Sequence, residues 1–93
     1  MYYTYILKSS KNNQYYIGST YSIEKRLKEH NQGKVISTKP FIPWSVYYFE
    51  EFVSQADAIR REGRIKAWKS RSMIEKLNLN KVLEFGGGIG EFS

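Results

Sequence analysis

The sequence predicts an α+β fold in which a three-stranded antiparallel sheet is flanked by helices, in the order β-β-α-β-α-α. Three segments rich in aromatic and β-branched residues predict the strands, at residues 2–8, 15–18 and 44–52. Ser22 and Ser54 each precede a segment with helical spacing, as helix N-caps do. Because the chain has 93 residues, these elements fit one domain with one core.

The first two strands are predicted to pair as a hairpin. Residues 2–8 alternate, so that Tyr3, Tyr5 and Leu7 share one face of the first strand. The Ser- and Asn-rich segment that follows favours a turn, and strand character then resumes. We expect Gly18 to end the second strand.

Three helices are predicted after this hairpin. The first is expected at residues 23–31, with Gly33 just beyond its end. The second begins after Ser54 and runs to Lys69. Ser72, followed three positions later by a glutamate, predicts the start of a short third helix. The segment before the third strand contains both prolines without clear periodicity, so it is predicted to be a loop.

The end of the domain is expected after residue 80. Residues 81–93 contain three consecutive glycines, which are typical of a mobile terminus. We therefore expect a single domain over residues 1–80 and a flexible, glycine-rich tail over residues 81–93.

Charge and residue types narrow the possible classes of function. The formal net charge of +6 favours a polyanionic partner such as nucleic acid. The chain has no cysteine, which excludes a disulfide framework and a cysteine nucleophile, and its single histidine cannot build a zinc site. No stretch approaches the roughly 18 apolar residues of a membrane span, and the first residues are strand-like rather than signal-like. We expect a cytoplasmic protein that does not enter a membrane.

Two of the predicted helices carry residues that could take part in catalysis or metal binding. Arg26 and His30 are four positions apart and therefore lie on one helix face. They could offer a guanidinium to a phosphate and a proton shuttle beside it, or be a solvated arginine and a half-buried histidine at the rim of the apolar stripe. Glu62 lies within or beside the apolar stripe of its helix, where a carboxylate needs a partner. That partner could be a neighbouring Arg or Lys, or a hard cation such as Mg²⁺.

Two of the eight tyrosines are candidates for chemistry. If the first two strands pair, Tyr5 and Tyr16 can both approach the sheet face that is covered by the helix of Arg26. A phenol with a pKa near 10 is a poor base by itself, so it needs a nearby cation or metal. Packing is the better explanation for four other tyrosines, which are Tyr2, Tyr15, Tyr47 and Tyr48.

These motifs together resemble the GIY-YIG nuclease superfamily. Tyr3-Thr4-Tyr5 lies where the family has GIY, and Tyr16-Ile17-Gly18 matches YIG as written. The spacing from these motifs to Arg26 also fits, and residues 58–70 resemble the segment that carries the family's metal-binding glutamate. The likeness is to small stand-alone bacterial members related to the N-terminal nuclease domain of the excinuclease, and it covers residues 3–80. Only the first two positions of GIY depart from the pattern.

The resemblance implies an endonuclease that hydrolyses DNA phosphodiester bonds with one divalent metal, in DNA repair or processing. It implies that Glu62 holds Mg²⁺ (or Mn²⁺) and that Arg26 stabilises charge on the phosphate. Tyr16 or Tyr5 would position or deprotonate the attacking water, and His30 would assist by hydrogen bonding or proton transfer. The family's terminal asparagine corresponds to Asn78 or Asn80, between which the sequence does not choose.

The second predicted helix also carries a row of basic residues that could bind the nucleic-acid backbone. DNA is the expected substrate. Because the chain has room for only one domain, a protein partner could supply DNA recognition. The alternative is a non-catalytic module of the same fold that binds nucleic acid or a repair partner. The predicted backbone-binding residues are Arg60, Arg61, Arg64, Lys66 and Lys69.

Overall fold

A computed structural model describes residues 1–84, with side chains through residue 79, and confirms the predicted fold class and order of elements. A short 3₁₀ turn, Lys39–Phe41, lies in the predicted loop. None of the helices within residues 1–84 is long and apolar enough to cross a membrane. The elements are β1 (Tyr2–Ser9), β2 (Tyr15–Thr20), α1 (Ile23–Asn31), β3 (Trp44–Phe52), α2 (Gln55–Trp68) and α3 (Arg71–Glu84).

The sheet is antiparallel, with strand order β2-β1-β3, so β1 is the central strand. In this register Tyr5 lies opposite Gly18 on one side and Phe49 on the other. The prediction that Gly18 ends β2 was wrong, because the strand continues to Thr20 and pairs there with Tyr3. Glycine weakens a strand because it loses more conformational freedom than other residues. It still has its backbone N–H and C=O groups, so the hydrogen bonds between strands can continue through it.

The sheet is covered on both faces because alternate residues of β1 are buried on opposite sides. Tyr5 and Leu7 pack with α1 on one face. Ile6 packs on the other face with Ile65 of α2 and Ile74 of α3. All five side chains are nearly or fully buried. The sheet is therefore the middle of three layers, with α1 on one side and the remaining helices on the other.

Side-chain caps fix the starts of the first two helices as predicted. The hydroxyl of Ser22 accepts from the backbone amide of Lys25 in α1, and that of Ser54 accepts from the amide of Asp57 in α2. Each cap satisfies a donor that the first helical turn leaves unpaired. Gly33, with φ +77°, follows the end of α1.

The third helix begins at another position than predicted. Lys69 adopts a left-handed φ of 49° and ends α2. Ser70 is then the first available cap, and its hydroxyl accepts from the amide of Met73, so α3 begins at Arg71 rather than after Ser72. The helix runs to Glu84, and the domain end at residue 80 stays a prediction. Most of the predicted tail, residues 85–93, lies outside the described residues.

Candidate active site

Tyr5 occupies the centre of the candidate site, and Gly18 makes the space for its phenol. A Cβ atom on Gly18 would lie 2.6 Å from the phenol oxygen of Tyr5 and 2.8 Å from its Cζ. Both distances are shorter than carbon contacts in folded proteins, which are near 3.5–4.0 Å. The glycine of the YIG motif therefore allows Tyr5 to lie directly against the neighbouring strand.

The phenol of Tyr5 is the first member of a buried series of hydrogen-bonded side chains. Its oxygen lies 3.2 Å from Nε2 of His30, and Nδ1 of His30 lies 2.8 Å from the hydroxyl of Thr38. His30 is fully buried, which differs from the one of its two sequence interpretations that had it half-buried at the rim of the apolar stripe. Burial, with the charge of Arg26 acting in the same direction, lowers the pKa of His30 to about 4. The imidazole is therefore neutral at neutral pH.

Aromatic rings surround this imidazole. The ring centroid of Tyr16 lies 4.7 Å from that of His30 and 6.2 Å from that of Tyr5. Trp44 of β3 completes the enclosure, with its centroid 6.5 Å from His30. Both candidate tyrosines thus lie on the sheet face covered by α1, as predicted, and the rings exclude water from most of the imidazole.

Arg26 lies one helical turn before His30, and its charge acts on both the imidazole of His30 and the phenol of Tyr5. Its Nη1 lies 2.9 Å from Oε1 of Glu29, and 36% of its side chain is exposed. Burial raises the pKa of Tyr5 to about 12, while hydrogen bonding to Arg26 and its charge act in the opposite direction. The pKa of Arg26 is raised chiefly by the hydrogen bond to Glu29, so the guanidinium stays charged. Glu29, three positions after Arg26, has ion-pair spacing that the sequence analysis missed.

Glu62 contributes a carboxylate from α2. Its side chain is 19% exposed and pairs with the ammonium of Lys66, which is one of the ion pairs that the sequence allowed. The carboxylate is close enough to Tyr5 to act against ionisation of the phenol. Within the described residues no three His, Cys, Asp or Glu side chains converge on a metal position. One hard oxygen donor still fits Mg²⁺, which is commonly held by one or two carboxylates and several waters.

A cleft of about 320 Å³ adjoins the candidate site at Arg26. It lies between α1 and α2, and Arg26 and Glu29 form part of its wall. Tyr2, for which packing was the predicted role, also lines the cleft, and so does Lys25, which the sequence analysis did not single out. The cleft therefore offers a site for an anionic group beside the guanidinium.

The predicted basic face of α2 is smaller than the sequence indicated. Arg61 makes two hydrogen bonds to the carboxylate of Glu50, at 2.9 and 3.0 Å, and is directed into the protein. Arg60 pairs with Asp57 at 2.6 Å, and Lys66 is held by Glu62 as described above. Helical periodicity places these cations on one helix but does not show which acidic side chains lie across from them. Among the described residues, the two exposed cations of the set without an ion pair are Arg64 and Lys69.

Asn78 has a structural contact away from the phenol cluster. Its Nδ2 donates to the backbone oxygen of Tyr47 at 2.7 Å, which joins α3 to β3. Tyr47 is the extra residue at a register shift of β3, where Ile6 pairs with Tyr48 and Leu7 with Val46. A bulge leaves backbone groups outside the ladder, so the amide satisfies one of them.

Gly18→Ala is expected to destabilise the protein by about 1–3 kcal/mol, since the added methyl group forces the buried ring of Tyr5 to move. Thermal or urea unfolding, followed by circular dichroism, measures this change. Gly63→Ala is the matched control, because a Cβ there meets nothing within 4 Å. In a helix interior, alanine is expected to stabilise by about 0.5–1 kcal/mol. Equal effects of the two substitutions would contradict the assigned role of Gly18.

The three-stranded sheet, the YIG glycine against the first tyrosine, and the arginine beside both tyrosines define a small domain of the GIY-YIG class. The family profile described as "GIY-YIG catalytic domain" matches residues 1–78. The chain belongs to this family. The family consists of nucleases, so membership indicates a nuclease with a nucleic-acid substrate.

Relatives of similar length match most of the chain. A UPF0213 protein of Bacillus pumilus is 35% identical, with 85% of this chain and 84% of the relative covered. A UPF0213 protein of Syntrophus aciditrophicus is 41% identical, with coverages of 85% and 88%. The solution NMR structure of the UPF0213 protein BH0048 from Bacillus halodurans has a TM-score of 0.51 and 32% identity, and the match covers 83% of this chain and 82% of that one. These names state no substrate.

Proposed function

We propose that this chain is a metal-dependent endonuclease that hydrolyses phosphodiester bonds in DNA. The observation that supports this most is that four candidate side chains come together between one sheet face and α1: Tyr5, Tyr16, Arg26 and His30. The charge of Glu62 acts on the phenol of Tyr5. Phosphoryl transfer depends mainly on positioning and on neutralising charge, and these side chains supply both. We further propose a cytoplasmic role in DNA repair or processing, on the resemblance to the excinuclease nuclease domain.

Arg26 is proposed to bind the scissile phosphate. It lines the cleft, and its fork is already oriented by Glu29 at 2.9 Å. A guanidinium can contact two phosphate oxygens at once and stays cationic throughout the reaction. Its contribution is greatest when negative charge increases on the phosphate in the transition state.

Tyr16 is the better candidate of the two tyrosines to position or deprotonate the attacking water. Tyr5 is only 1% exposed and its pKa is raised to about 12, so it keeps its proton and acts as a hydrogen-bonding group. Tyr16 is half-buried, and its ring contacts the imidazole of His30. Tyr5 and His30 then hold the ring of Tyr16 and the guanidinium of Arg26 in place.

Glu62 is proposed to hold Mg²⁺ or Mn²⁺. A divalent ion, when bound, supplies positive charge at the phosphate and lowers the pKa of coordinated water. The chain supplies a carboxylate of which 19% is exposed and whose charge acts on the phenol of Tyr5, and Lys66 must share or release it. Because the pair with Lys66 lies near solvent, its exchange costs little.

A cleavage assay tests the nuclease proposal. Labelled duplex, flapped, branched and single-stranded DNA, with matched RNA, are incubated with Mg²⁺, Mn²⁺ or EDTA. We expect internal cleavage of at least one DNA that requires the metal. Salt-sensitive binding without cleavage under any condition would instead favour the non-catalytic nucleic-acid-binding module. Failure of both would leave a module that docks on a repair protein.

Arg64 and Lys69 are predicted to contact the DNA backbone. The double variant Arg64→Gln/Lys69→Gln is expected to flatten the slope of log K against log salt concentration by about 1.8, since each phosphate contact contributes roughly 0.9. Fluorescence anisotropy over a salt series measures the slope. Lys76→Gln, an exposed change on α3, serves as the control and is expected to have a smaller effect. An unchanged slope in the double variant would remove this surface from the proposal.

A further inference from the structure

Thr38 is a buried polar residue whose side chain contacts the candidate site from a loop. Only 2% of it is exposed, and its hydroxyl oxygen lies 2.8 Å from Nδ1 of His30. The indole of Trp44 donates to the backbone oxygen of Thr38 at 3.0 Å, which holds this part of the loop against β3. The hydroxyl is therefore presented to one particular nitrogen of the imidazole.

The hydroxyl of Thr38 has one proton, and its surroundings show where that proton goes. The oxygen lies 3.3 Å from the backbone carbonyl of Val35, which can only accept. If the hydroxyl donates to Val35, it must accept from His30. Nδ1 of His30 then carries the proton of the neutral ring.

The other side of the imidazole is compatible with this assignment. Nε2 of His30 lies 3.2 Å from the phenol of Tyr5. The phenol has one proton, its oxygen can also accept, and the positive charge of Arg26 acts on the same phenol. With the proton of the neutral ring on Nδ1, Nε2 can only accept, so the phenol of Tyr5 donates to it.

We propose that Thr38 is a positioning residue that fixes the Nδ1–H tautomer of His30, so that Nε2 accepts from Tyr5 and the phenol oxygen stays oriented toward Arg26. The hydroxyl acts through the imidazole and the phenol on the guanidinium that binds phosphate. The expected effect on cleavage rests on the proposed nuclease function. The tautomer itself is a property of the folded protein and can be measured without a substrate.

The tautomer can be read directly because His30 is the only histidine of the chain. In ¹⁵N-labelled full-length protein at neutral pH, long-range ¹H–¹⁵N correlation spectra are expected to show a protonated Nδ1 and an unprotonated Nε2. Thr38→Val keeps the shape of the side chain but removes the hydroxyl, and is expected to give the other tautomer or a mixture. Thr38→Ser restores the hydroxyl and is expected to restore the Nδ1–H tautomer.

Cleavage kinetics give the second measurement. Thr38→Val is expected to lower kcat by about tenfold, the value of one hydrogen bond, with little change in KM. Thr38→Ser is expected to stay near the wild type. An Nε2–H tautomer in the wild type, or an unchanged tautomer in a folded Thr38→Val variant, would overturn the proposal, and so would equal kinetics of all three proteins. A wild type with Nδ1–H that cleaves no nucleic acid would uphold the tautomer and overturn the nuclease function.

Discussion

Glu62→Gln is expected to lower metal-dependent cleavage by at least about a thousandfold, because it removes the carboxylate proposed to hold the divalent ion. Charge stabilisation by a bound metal is worth several kcal/mol, and each 1.4 kcal/mol corresponds to about a factor of ten in rate. Glutamine has nearly the same shape, so the packing of α2 against the sheet is retained. Single-turnover cleavage over a range of Mg²⁺ and Mn²⁺ concentrations measures the loss.

Stability should change little in this variant. The pair that is lost, between Glu62 and Lys66, is a four-residue pair near the helix surface, and such pairs contribute less than about 1 kcal/mol. Glu75→Gln is the matched control, since Glu75 also lies four positions from its cation, Arg71, on the following helix. Cleavage close to the wild-type rate in a folded Glu62→Gln variant would mean that the metal, if used, is held elsewhere.

Arg26→Lys is expected to reduce kcat by about 10²–10³, the usual result of removing one preorganised group that stabilises developing charge. The substitution keeps the positive charge, so the net charge of the protein and its general attraction to DNA stay the same. It removes the planar fork that Glu29 orients at 2.9 Å and that faces the phenol of Tyr5. We therefore expect a loss in kcat with a much smaller change in DNA affinity.

Arg71→Lys is the control for this change. Arg71 also forms an ion pair within a helix, with Glu75, and 55% of the Arg71 side chain is exposed. Comparing the two variants separates the loss of a guanidinium in general from the loss of one that lines the cleft. If both substitutions leave kcat unchanged, the role assigned to Arg26 is wrong and the phosphate must be bound by other cations.

Local sequence patterns are sufficient for most of the fold. The third strand, residues 44–52, is predicted to its observed limits because a run of aromatic and β-branched residues has few alternatives to a strand. Ser22 and Ser54 are identifiable as caps because their hydroxyls act on amides only three residues away. The prediction is wrong at the start of α3, where the left-handed conformation of Lys69 moves the cap to Ser70.

The residues of the candidate site can also be named from the sequence, although not their arrangement. Motif spacing identifies Tyr5, Tyr16, Arg26, His30 and Glu62 as a set that matches a known family. It does not indicate that the histidine is fully buried and neutral, nor which tyrosine is the more enclosed. Burial depends on how the loop after α1 folds back over the helix and on where β1, β2 and β3 place their aromatic rings, and local patterns do not encode either.

What the sequence determined by itself was therefore the class of fold, the family and the chemical types present. The tertiary structure alone decided that Gly18 lies against the phenol of Tyr5, that Thr38 contacts the imidazole, and that Arg61 is held by Glu50. The physical reason is that propensity, capping and periodicity act over a few residues, whereas these contacts join segments separated by a turn, a loop or a strand. Pairing of strands and packing of helices bring them together, and no pattern within either segment encodes its partner.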